Sequence, residues 1–329
     1  MPTHSLKRSA LQNNMEARHD SVLTDEVLKA LAIQPSDTVV DATLGGGGHF
    51  AALLAALGEG GTIVGIDADL AAVARGRSAY ARDRRPERPI AHLVNDNFRN
   101  LARILERLGV APVDAILFDL GWSGYQIAAP RGFSFQNEEP LLMNYSEGGE
   151  TAADIVNSSS EAALADIIFM YGEERFARPI AHAIVEARSK ERILTTDALV
   201  AAIKAGTPAR YHKQKIHPAT RTFQALRIAV NDEIGALREG LSAAIGSLAP
   251  GGRLVVISFH SIEDRIVKST LRDAADAGLG AMTPKKPIVP ARAEILHNRR
   301  ARSAKLRVFE RAFVRAEQTG SAVPILLYA

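Results

Sequence analysis

The chain has 329 residues, of which 40 are Lys or Arg and 37 are Asp or Glu, so its formal net charge is only +3. A composition of 47% apolar and 23% charged residues is typical of globular proteins and excludes a chain that is disordered throughout. The lack of cysteine excludes disulfides, thiolate nucleophiles and cysteine-based zinc sites, and the nine scattered histidines favour a protein without a metal.

The basic residues are concentrated in two windows. Residues 204–227, the first cationic window, contain six basic residues and no acidic one. Residues 285–315, the second cationic window, contain ten basic residues and two acidic ones. The remainder of the chain is net acidic, so the pattern predicts a polyanionic partner that binds at the two windows.

The N-terminal segment has none of the features of a targeting sequence. The first twenty residues lack the apolar centre of a signal peptide, and no later stretch approaches the roughly 18 apolar residues of a membrane helix. We therefore expect a soluble, cytoplasmic protein that does not bind a membrane.

The first half of the chain alternates strand patterns with helix patterns. The strand patterns lie at residues 38–43, 62–67, 91–95 and 114–120. The helix patterns lie at residues 21–31, 51–57, 70–81 and 98–108. Strands and helices that alternate at this spacing predict an α/β fold with a parallel sheet covered on both faces.

The strand signal disappears between residues 133 and 216. Helical patterns at residues 161–170, 173–189 and 197–205 predict an inserted helical domain, and Pro179 predicts that the second of these helices is kinked or divided. Pro218 opens a long predicted helix that ends near Leu248, and a strand at residues 253–259 returns to the sheet. The predicted organisation is thus a first part at 1–132, the insertion at 133–216 and a second part at 217–329.

A glycine-rich loop follows the first predicted strand, in the sequence Asp41-Ala-Thr-Leu-Gly-Gly-Gly-Gly-His49. Glycines between a buried strand and a helix let a ligand approach the backbone at the helix N-terminus, which favours a nucleotide-type site over a flexible turn. Gly46, Gly48 and Ala51 also match a loose dinucleotide fingerprint. The loop alone therefore does not separate a nicotinamide cofactor from S-adenosylmethionine.

Asp67 ends the second predicted strand about twenty residues after the glycines. A carboxylate at this position can accept hydrogen bonds from both hydroxyls of a ribose. The alternative role is that of a helix cap, but Asp69 is available for capping, and we therefore favour the ribose role for Asp67.

The strand at residues 114–120 ends in Asp119 and is followed by Trp122. The pattern Asp-x-x-aromatic resembles the motif with which amino methyltransferases hold a target NH2 group and stack on its ring. An exocyclic amine is a poor nucleophile, so fixed hydrogen-bond acceptors and an in-line approach must supply most of the catalysis. Burial of Trp122 in the core is the alternative explanation of the ring.

Two other chemistries are disfavoured. Methylation at C5 of a pyrimidine ordinarily uses a cysteine thiolate, and this chain has none, so methylation of an amine or a hydroxyl remains. Ser258, His260, Ser261 and Asp264 are the residue types of a hydrolase triad, but no nucleophile elbow accompanies them.

The long predicted helix carries two stripes. The apolar stripe, which we expect to be buried, consists of Phe223, Leu226, Val230, Ile234, Leu237 and Leu241. The polar stripe consists of Thr220, Gln224, Arg227 and Asn231. A polar stripe is usually solvated, but Arg221 and Arg227 in an acid-free window equally favour contact with phosphates or bases.

These motifs together resemble the RsmH (MraW) family, whose members methylate N4 of a cytidine in the decoding centre of small-subunit (16S) ribosomal RNA. The resemblance extends over most of the chain. Its motifs are His19 to Leu23, Asp41 to His49, Asp119 to Gly121, Arg131 to Phe135, Tyr171 to Phe176, His217 to Arg227, Ser258 to Ser261, Glu263 to Arg265 and Arg300 to Arg307.

The resemblance implies a class I (Rossmann-like) S-adenosylmethionine-dependent methyltransferase fold with an inserted helical domain for substrate recognition. The implied cofactor contacts are Gly47, Gly48, His49, Asp67, Phe98, Asp119 and Gln126. Asp119 and Trp122 are then the catalytic candidates, and Asp119 could serve both the cofactor and the target amine. The substrate-binding candidates are Arg221, Gln224, Arg227 and Arg302. The implied partner is small-subunit ribosomal RNA or the assembled subunit, and we expect both cationic windows on the same side as the glycine loop.

The chain also departs from the family pattern. Trp122 stands where the family has valine, while Leu142 and Asn144 replace an aspartate and an arginine. If that pair shapes the target pocket, a non-catalytic ribosome-assembly factor on the same fold is an alternative. A nicotinamide-dependent oxidoreductase is a further alternative, favoured only by the loose glycine fingerprint.

Overall fold

The structure, a computed structural model of the chain, describes residues 21–121, 130–145 and 148–313. Seven strands in these ranges form one sheet: β1 (Thr38–Asp41), β2 (Thr62–Asp67), β3 (Ile90–Asn95), β4 (Val113–Asp119), β5 (Leu248–Ser258), β6 (Gly280–Met282) and β7 (Lys305–Arg311). Their order is β3-β2-β1-β4-β5-β7-β6. Strands β1 to β5 are parallel, and β7 runs antiparallel to β5 and β6.

The helices fall into three groups along the chain. The first group consists of α1 (Thr24–Leu31), α2 (Gly48–Ala56), α3 (Leu70–Arg82) and α4 (Leu101–Leu108). The second, after β4, consists of α5 (Ala152–Ser158), α6 (Glu161–Gly172), α7 (Ala177–Lys190), α8 (Thr196–Ala205) and α9 (Ala209–His212). The third consists of α10 (Thr220–Asn231), α11 (Glu233–Ser247), α12 (Ser261–Asp276) and α13 (Arg292–His297).

Each face of the sheet has its own hydrophobic core, because successive strand residues point to opposite sides. Val40 and Phe118 pack in the core that α4, α11 and α12 cover. Val39 and Leu117 pack in the core that α1, α2 and α3 cover. The predicted α/β fold is thereby confirmed, and the strand order with an antiparallel β7 is that of the class I methyltransferases.

The chain reverses its direction of travel across the sheet at β1. From β1 it proceeds outwards to β2 and β3, and it then returns to the other side of β1 for β4. In open parallel sheets this reversal leaves a crevice at the carboxyl ends of the two strands, where ligands bind. The glycine loop follows β1 and Asp119 ends β4, so both lie at this crevice.

A third hydrophobic core lies among the helices between β4 and β5. It contains Leu164 of α6, Ile180 of α7 and Leu199 of α8. Phe223 and Leu226 of α10 also belong to it. The helical region is therefore packed around a core separate from the two on the sheet, and α10 contributes to that core.

Pro179 neither kinks nor divides a helix, contrary to the prediction. The pattern at residues 173–189 begins too early, because Glu173 is left-handed (φ 49°) and ends α6. Helix α7 begins at Ala177, which places Pro179 in its first turn. Backbone N–H groups of a first turn have no acceptor within the helix, so proline is tolerated there.

The single long helix predicted after Pro218 is wrong. Two helices, α10 and α11, meet at Asp232, which has a left-handed backbone with φ 44°. The apolar stripe is divided at this point. Phe223 and Leu226 pack in the helical core, whereas Leu237 and Leu241 pack in the core of the sheet. The break thus directs one continuous apolar pattern into two different cores.

Part of the second cationic window is internal rather than a binding surface. The window contains β7, which the sequence analysis did not predict, and Leu306 and Phe309 of this strand are fully buried. Arg307 is only 5% exposed and its Nε lies 2.7 Å from Oδ1 of Asp264. Lys305 Nζ lies 2.8 Å from the other oxygen of Asp264. These two cations neutralise a carboxylate of the protein itself.

A membrane-spanning helix, meaning one that is both long and apolar enough, is not found in the described ranges.

Candidate active site

Most of the predicted site residues line one cavity of about 370 Å³ at the carboxyl ends of β1, β2 and β4. They are Gly47, Gly48, His49, Asp67, Phe98, Asp119, Gln224 and Arg227. Arg302 lines an adjoining cavity instead, and Arg221 lines neither of these two cavities. Trp122 and Gln126 lie outside the described residues.

The glycine loop forms the floor of the cavity. Gly47 precedes α2 with φ 82°, a backbone conformation that residues with a side chain rarely adopt, and no side chain caps the helix there. A methyl group added at Gly47 would meet no other atom within 4 Å, so the loop is open on that side. The first N–H groups of α2 are therefore positioned to bind a negatively polarised group of a ligand.

Asp119 and His49 form an ion pair at the centre of the site. His49 Nδ1 lies 3.2 Å from Asp119 Oδ2, and His49 Nε2 lies 3.0 Å from the carbonyl oxygen of Val22. A carbonyl only accepts, so Nε2 carries a hydrogen. Although burial opposes the charged imidazolium, the carboxylates of Asp119 and Asp41 raise the pKa of His49. The charged form of His49 is thus favoured beside Asp119.

The second oxygen of Asp119 is available to a ligand. Oδ1 is buried and has no hydrogen-bond partner among the described residues. The backbone N–H of Asp119 donates to Thr43 Oγ1 at 2.7 Å, which fixes the end of β4 against the loop after β1. A buried acceptor without a partner is costly unless a ligand supplies a donor.

Asp41 is a fully buried carboxyl that acts electrostatically on His49, and no local pattern in the sequence indicates this role. Burial raises the pKa of Asp41 to about 7, although His49 and the N–H of Thr43 oppose the shift. In the sequence, Asp41 is recognisable only as the last residue of β1, directly before the glycine loop. Its interaction with the same histidine as Asp119 depends on the tertiary fold and could not be predicted from neighbouring residues.

Asp67 is held at the edge of the cavity by two backbone donors. The N–H groups of Gly45 and Asp69 donate to its two oxygens, each at 2.8 Å. Asp69 caps α3 through the N–H of Ala71, at 3.0 Å, as predicted. Each oxygen of Asp67 retains further acceptor capacity toward the cavity, which is what the hydroxyls of a ribose need.

Phe98 closes the cavity on the side of β3. Its ring meets Phe118 edge to face, with centroids 5.3 Å apart. Gly240 of α11 lies directly behind it, because a methyl group there would come within 2.7 Å of the Phe98 ring. The ring is therefore fixed as a flat apolar wall.

The polar stripe of α10 faces this cavity rather than bulk solvent. All four of its residues, Thr220, Gln224, Arg227 and Asn231, line the same cavity as the glycine loop. Arg227 is only 3% exposed, so a substrate reaches it only from inside the cavity. Gln224 donates to the carbonyl of Tyr171 at 2.9 Å, which holds its side chain against the helical region.

Arg227 belongs to a buried charged cluster that sequence reasoning missed. Its Nε lies 2.9 Å from Glu233 Oε1, to which Tyr145 Oη donates at 2.8 Å. Burial raises the pKa of Glu233 against the pull of Arg227, and it raises the pKa of Tyr145 well above 10. For Glu263, burial favours the neutral form, but His260 and Arg227 lower its pKa.

The cluster joins residues from three separate segments of the chain, so no local spacing indicated it. Of the five, only Arg227 was a candidate for substrate binding; the others, which also line the cavity, are Tyr145, Glu233, His260 and Glu263. His260 Nε2 lies 3.0 Å from Glu263 Oε1, an ionic contact without hydrogen-bond geometry. The cluster therefore places basic and acidic side chains at fixed positions on the wall of the cavity.

The geometry does not form a hydrolase triad. Asp264 is paired with Lys305 and Arg307 instead of with a histidine. Ser261 donates to the carboxylate of Glu173. In the described part of the chain, no group of three or more His, Cys, Asp or Glu side chains is arranged to hold a metal ion.

Comparison with known proteins identifies the family. The profile of the MraW methylase family matches residues 16–312. The chain is 52% identical over 297 residues to the "Ribosomal RNA small subunit methyltransferase H" of Deinococcus radiodurans, covering 89% of this chain and 90% of the relative. It is 45% identical over 322 residues to the protein of the same name from Thermomicrobium roseum, covering 92% and 97%.

The solved structures that the chain matches are more distant in sequence. An rRNA methylase from Streptococcus thermophilus has a TM-score of 0.40 and 13% identity, and the match covers 88% of this chain and 93% of that one. A SAM-dependent O-methyltransferase from Thermotoga maritima has a TM-score of 0.41 and 10% identity, covering 93% and 71%.

The cavity residues fit S-adenosylmethionine as the cofactor. The open glycine loop and the acceptors of Asp67 suit the polar parts of a nucleoside, and Phe98 provides a flat wall for a base. Gly47, Gly48 and His49 lie where a terminal carboxylate would meet the N-terminus of α2. The nicotinamide alternative has no support beyond the loose fingerprint. The chain therefore belongs to the MraW methylase family, and it is a methyltransferase with S-adenosylmethionine as its cofactor.

Proposed function

We propose that the chain methylates N4 of a cytidine in the decoding centre of small-subunit (16S) ribosomal RNA. The names of the relatives from Deinococcus and Thermomicrobium support small-subunit ribosomal RNA as the substrate. An amine is favoured as the methylated group because Asp119 Oδ1 is a buried acceptor without a hydrogen-bond partner among the described residues. A substrate of this kind also implies a cytoplasmic location.

The chemistry of N4 methylation requires an acceptor at this position. The lone pair of an exocyclic amine is delocalised into the base, so the amine needs orientation and a partner for its hydrogens. Asp119 Oδ1 accepts a hydrogen of N4, while Oδ2 is engaged by His49. Bound S-adenosylmethionine supplies an electrophilic methyl group on its sulfonium.

The roles of the individual residues follow from their places in the cavity. Gly47, Gly48, His49, Asp67 and Phe98 bind the cofactor in this proposal. Asp119 is shared between cofactor and target amine. Gln126 as a cofactor contact and Trp122 as the ring that stacks on the target base remain predictions from the sequence.

Substrate binding is proposed for two surfaces. Gln224 and Arg227 on α10, which line the cavity, contact the target base. Arg221 and Arg302 lie outside this cavity and contact the RNA beyond the target. We propose that residues 133–216 form the helical substrate-recognition domain, inserted between a first part at 1–132 and a second part at 217–329.

The decisive experiment uses small subunits from a strain that lacks the modification. Incubation with methyl-labelled cofactor is expected to place the label on N4 of one decoding-centre cytidine. The Asp119→Asn variant is expected to bind the cofactor but to transfer little label. Label in another nucleotide would contradict the proposed target.

The same experiment distinguishes the non-catalytic assembly factor. That alternative was raised by Leu142 and Asn144. In the structure Leu142 is half-buried and Asn144 donates to the carbonyl of Gly148 at 3.0 Å, so Asn144 has a local structural role. Cofactor binding and subunit binding without any methyl transfer would favour the assembly factor.

A further inference from the structure

A second cavity, of about 440 Å³, adjoins the active-site cavity. Phe259, His260 and Ser303 line both cavities and form the wall between them. An extended ligand that leaves the first cavity over this wall enters the second without crossing any other part of the protein. The second cavity is thus placed to receive whatever is covalently attached to the target nucleoside.

The lining of the second cavity combines apolar surfaces with cations. Phe259, Val289, Pro290 and Ile295 supply the apolar part. Arg302 supplies a cation, whereas Lys305, which also lines the cavity, is paired with Asp264. No acidic residue is among the lining residues of the cavity. Val289 is 59% exposed, so its side chain is accessible to a ligand in this cavity.

The segment that builds the cavity is fixed before any ligand binds. Ile288 pairs with Leu306 of β7 through two backbone hydrogen bonds of 2.8 and 2.9 Å. Glu294 of α13 accepts the backbone N–H of Leu23 at 2.7 Å. Ala301 is fully buried in the core of the sheet. A preorganised cavity loses little conformational entropy on binding.

This inference rests on the proposed function, and it adds a second binding site to it. We propose that the second cavity binds the nucleotide adjacent to the target cytidine in the same RNA strand. The base of that nucleotide packs on Phe259 and Val289, and its phosphate is contacted by Arg302. Single-stranded RNA is generally bound in this way, by base contact with apolar or aromatic side chains and phosphate contact with cations.

The chain offers matched controls for both contacts. Leu296 is 75% exposed on the neighbouring α13 and lines neither cavity, so Leu296→Glu controls for Val289→Glu. Arg299 is exposed in the same short segment as Arg302 and also lines neither cavity, so Arg299→Gln controls for Arg302→Gln. The two variants of each pair change the charge of the protein equally, at different positions.

The experiment measures initial rates on small subunits that lack the modification, together with the affinity for S-adenosylmethionine by calorimetry. We expect Val289→Glu and Arg302→Gln to raise the KM for subunits about tenfold, as loss of one base or phosphate contact does. The kcat and the cofactor affinity are expected to stay within about twofold of wild type, since neither residue lines the first cavity. The controls are expected to change the KM less than about twofold.

Ultraviolet crosslinking supplies an independent readout. In complexes of the enzyme with unmodified subunits, mass spectrometry is expected to find the nucleotide next to the target joined to a peptide containing Phe259 or residues 287–305. Equal KM changes in the variants and their controls, or crosslinks only to distant nucleotides, would overturn the subsite. If the wild type transfers no methyl group to subunits at all, the proposed function fails instead.

Discussion

The two carboxylate oxygens of Asp119 have different partners in the proposed reaction. Oδ2 lies 3.2 Å from His49, and Oδ1 is left for the N4 hydrogens. Asp119→Asn preserves the shape, but an amide cannot keep acceptors in both directions. We expect kcat to fall by about 10²-fold or more, because a preorganised acceptor is lost. Single-turnover methyl transfer to unmodified subunits measures this.

The matched control lies at the other end of the same strand. Asp114 accepts the backbone N–H of Thr38 at 2.8 Å, and an asparagine oxygen can replace it there. Asp114→Asn is expected to retain full activity. Equal losses in the two variants would show that the Asp119 effect is structural.

Asp41 links the stability of the fold to pH. Burial raises its pKa from 3.8 to about 7, so the folded protein retains a proton that the unfolded chain has lost. Its stabilising contribution is complete below about pH 4 and is lost as the pH rises through about 7. Asp41→Asn is permanently neutral. We expect this variant to gain stability over wild type from pH 5 to 8, by at most about 4 kcal/mol.

Urea unfolding at several pH values tests the role of Asp41. The quantity to follow is the difference in unfolding free energy between Asp41→Asn and wild type. A difference that stays constant between pH 5 and 8 would contradict the raised pKa.

Trp122 is the catalytic candidate that the sequence alone supports, since it lies outside the described residues. If its ring stacks on the target base, Trp122→Ala loses stacking worth about 1–3 kcal/mol. We expect at least a tenfold loss in kcat/KM with an unchanged cofactor affinity, measured by methyl transfer and calorimetry. Full activity in this variant would favour a structural role for the ring.

Helix α11 packs closely against the Phe98 ring, because residue 240 of this helix is a glycine. At Gly240 an added methyl group would come within 2.7 Å of the Phe98 ring, whereas at Gly246 on the same helix it would meet nothing within 4 Å. We expect Gly240→Ala to displace Phe98 and weaken cofactor binding about tenfold, as one lost packed contact of 1–2 kcal/mol does.

Gly246→Ala is the control for this substitution. Alanine favours a helix by about 0.5–1 kcal/mol over glycine, so this variant is expected to be slightly more stable and to bind the cofactor normally. Calorimetry and thermal unfolding of both variants provide the measurement. Unchanged cofactor affinity in Gly240→Ala would show that Phe98 is not part of the cofactor site.

Local patterns predicted the elements of this fold better than their junctions. The strands of the first half and the glycine motif could be predicted, because buried parallel strands are short apolar runs and glycines mark the turn. The break at Asp232 could not, since the apolar period of Phe223 to Leu241 continues across it. Only the presence of two separate cores, which are tertiary features, explains why the helix ends there.

The same limit applies to the candidate site. Motifs predicted the side chains that line the cavity, such as His49 and Asp119, but not their pairing across 70 residues. The contact of Tyr145 with Glu233 spans 88 residues. Interactions between elements that are remote in sequence have no periodic signature.

At the scale of the whole molecule, the two cationic windows have mixed roles. Arg227 of the first window and Arg300 of the second line the cavity of the glycine loop, so parts of both reach the side that was expected. Arg307 and Lys305 instead neutralise Asp264 within the protein. The count of basic residues therefore overstates the number of charges that can contact RNA.

The salt dependence of subunit binding separates these two kinds of cation. Each phosphate contact releases counterions, so removing one contact reduces the slope of log affinity against log salt by about one. Lys215 and Arg302 are exposed, one in each window, and we expect Lys215→Gln and Arg302→Gln each to reduce the slope by about one unit. The double variant should lose about two units, because separated contacts act additively.

Arg82, an exposed cation at the end of α3 outside both windows, provides the control, and Arg82→Gln should leave the slope unchanged. Equal slopes in all of these proteins, measured by sedimentation with subunits at several salt concentrations, would show that the windows do not form the RNA-binding surface.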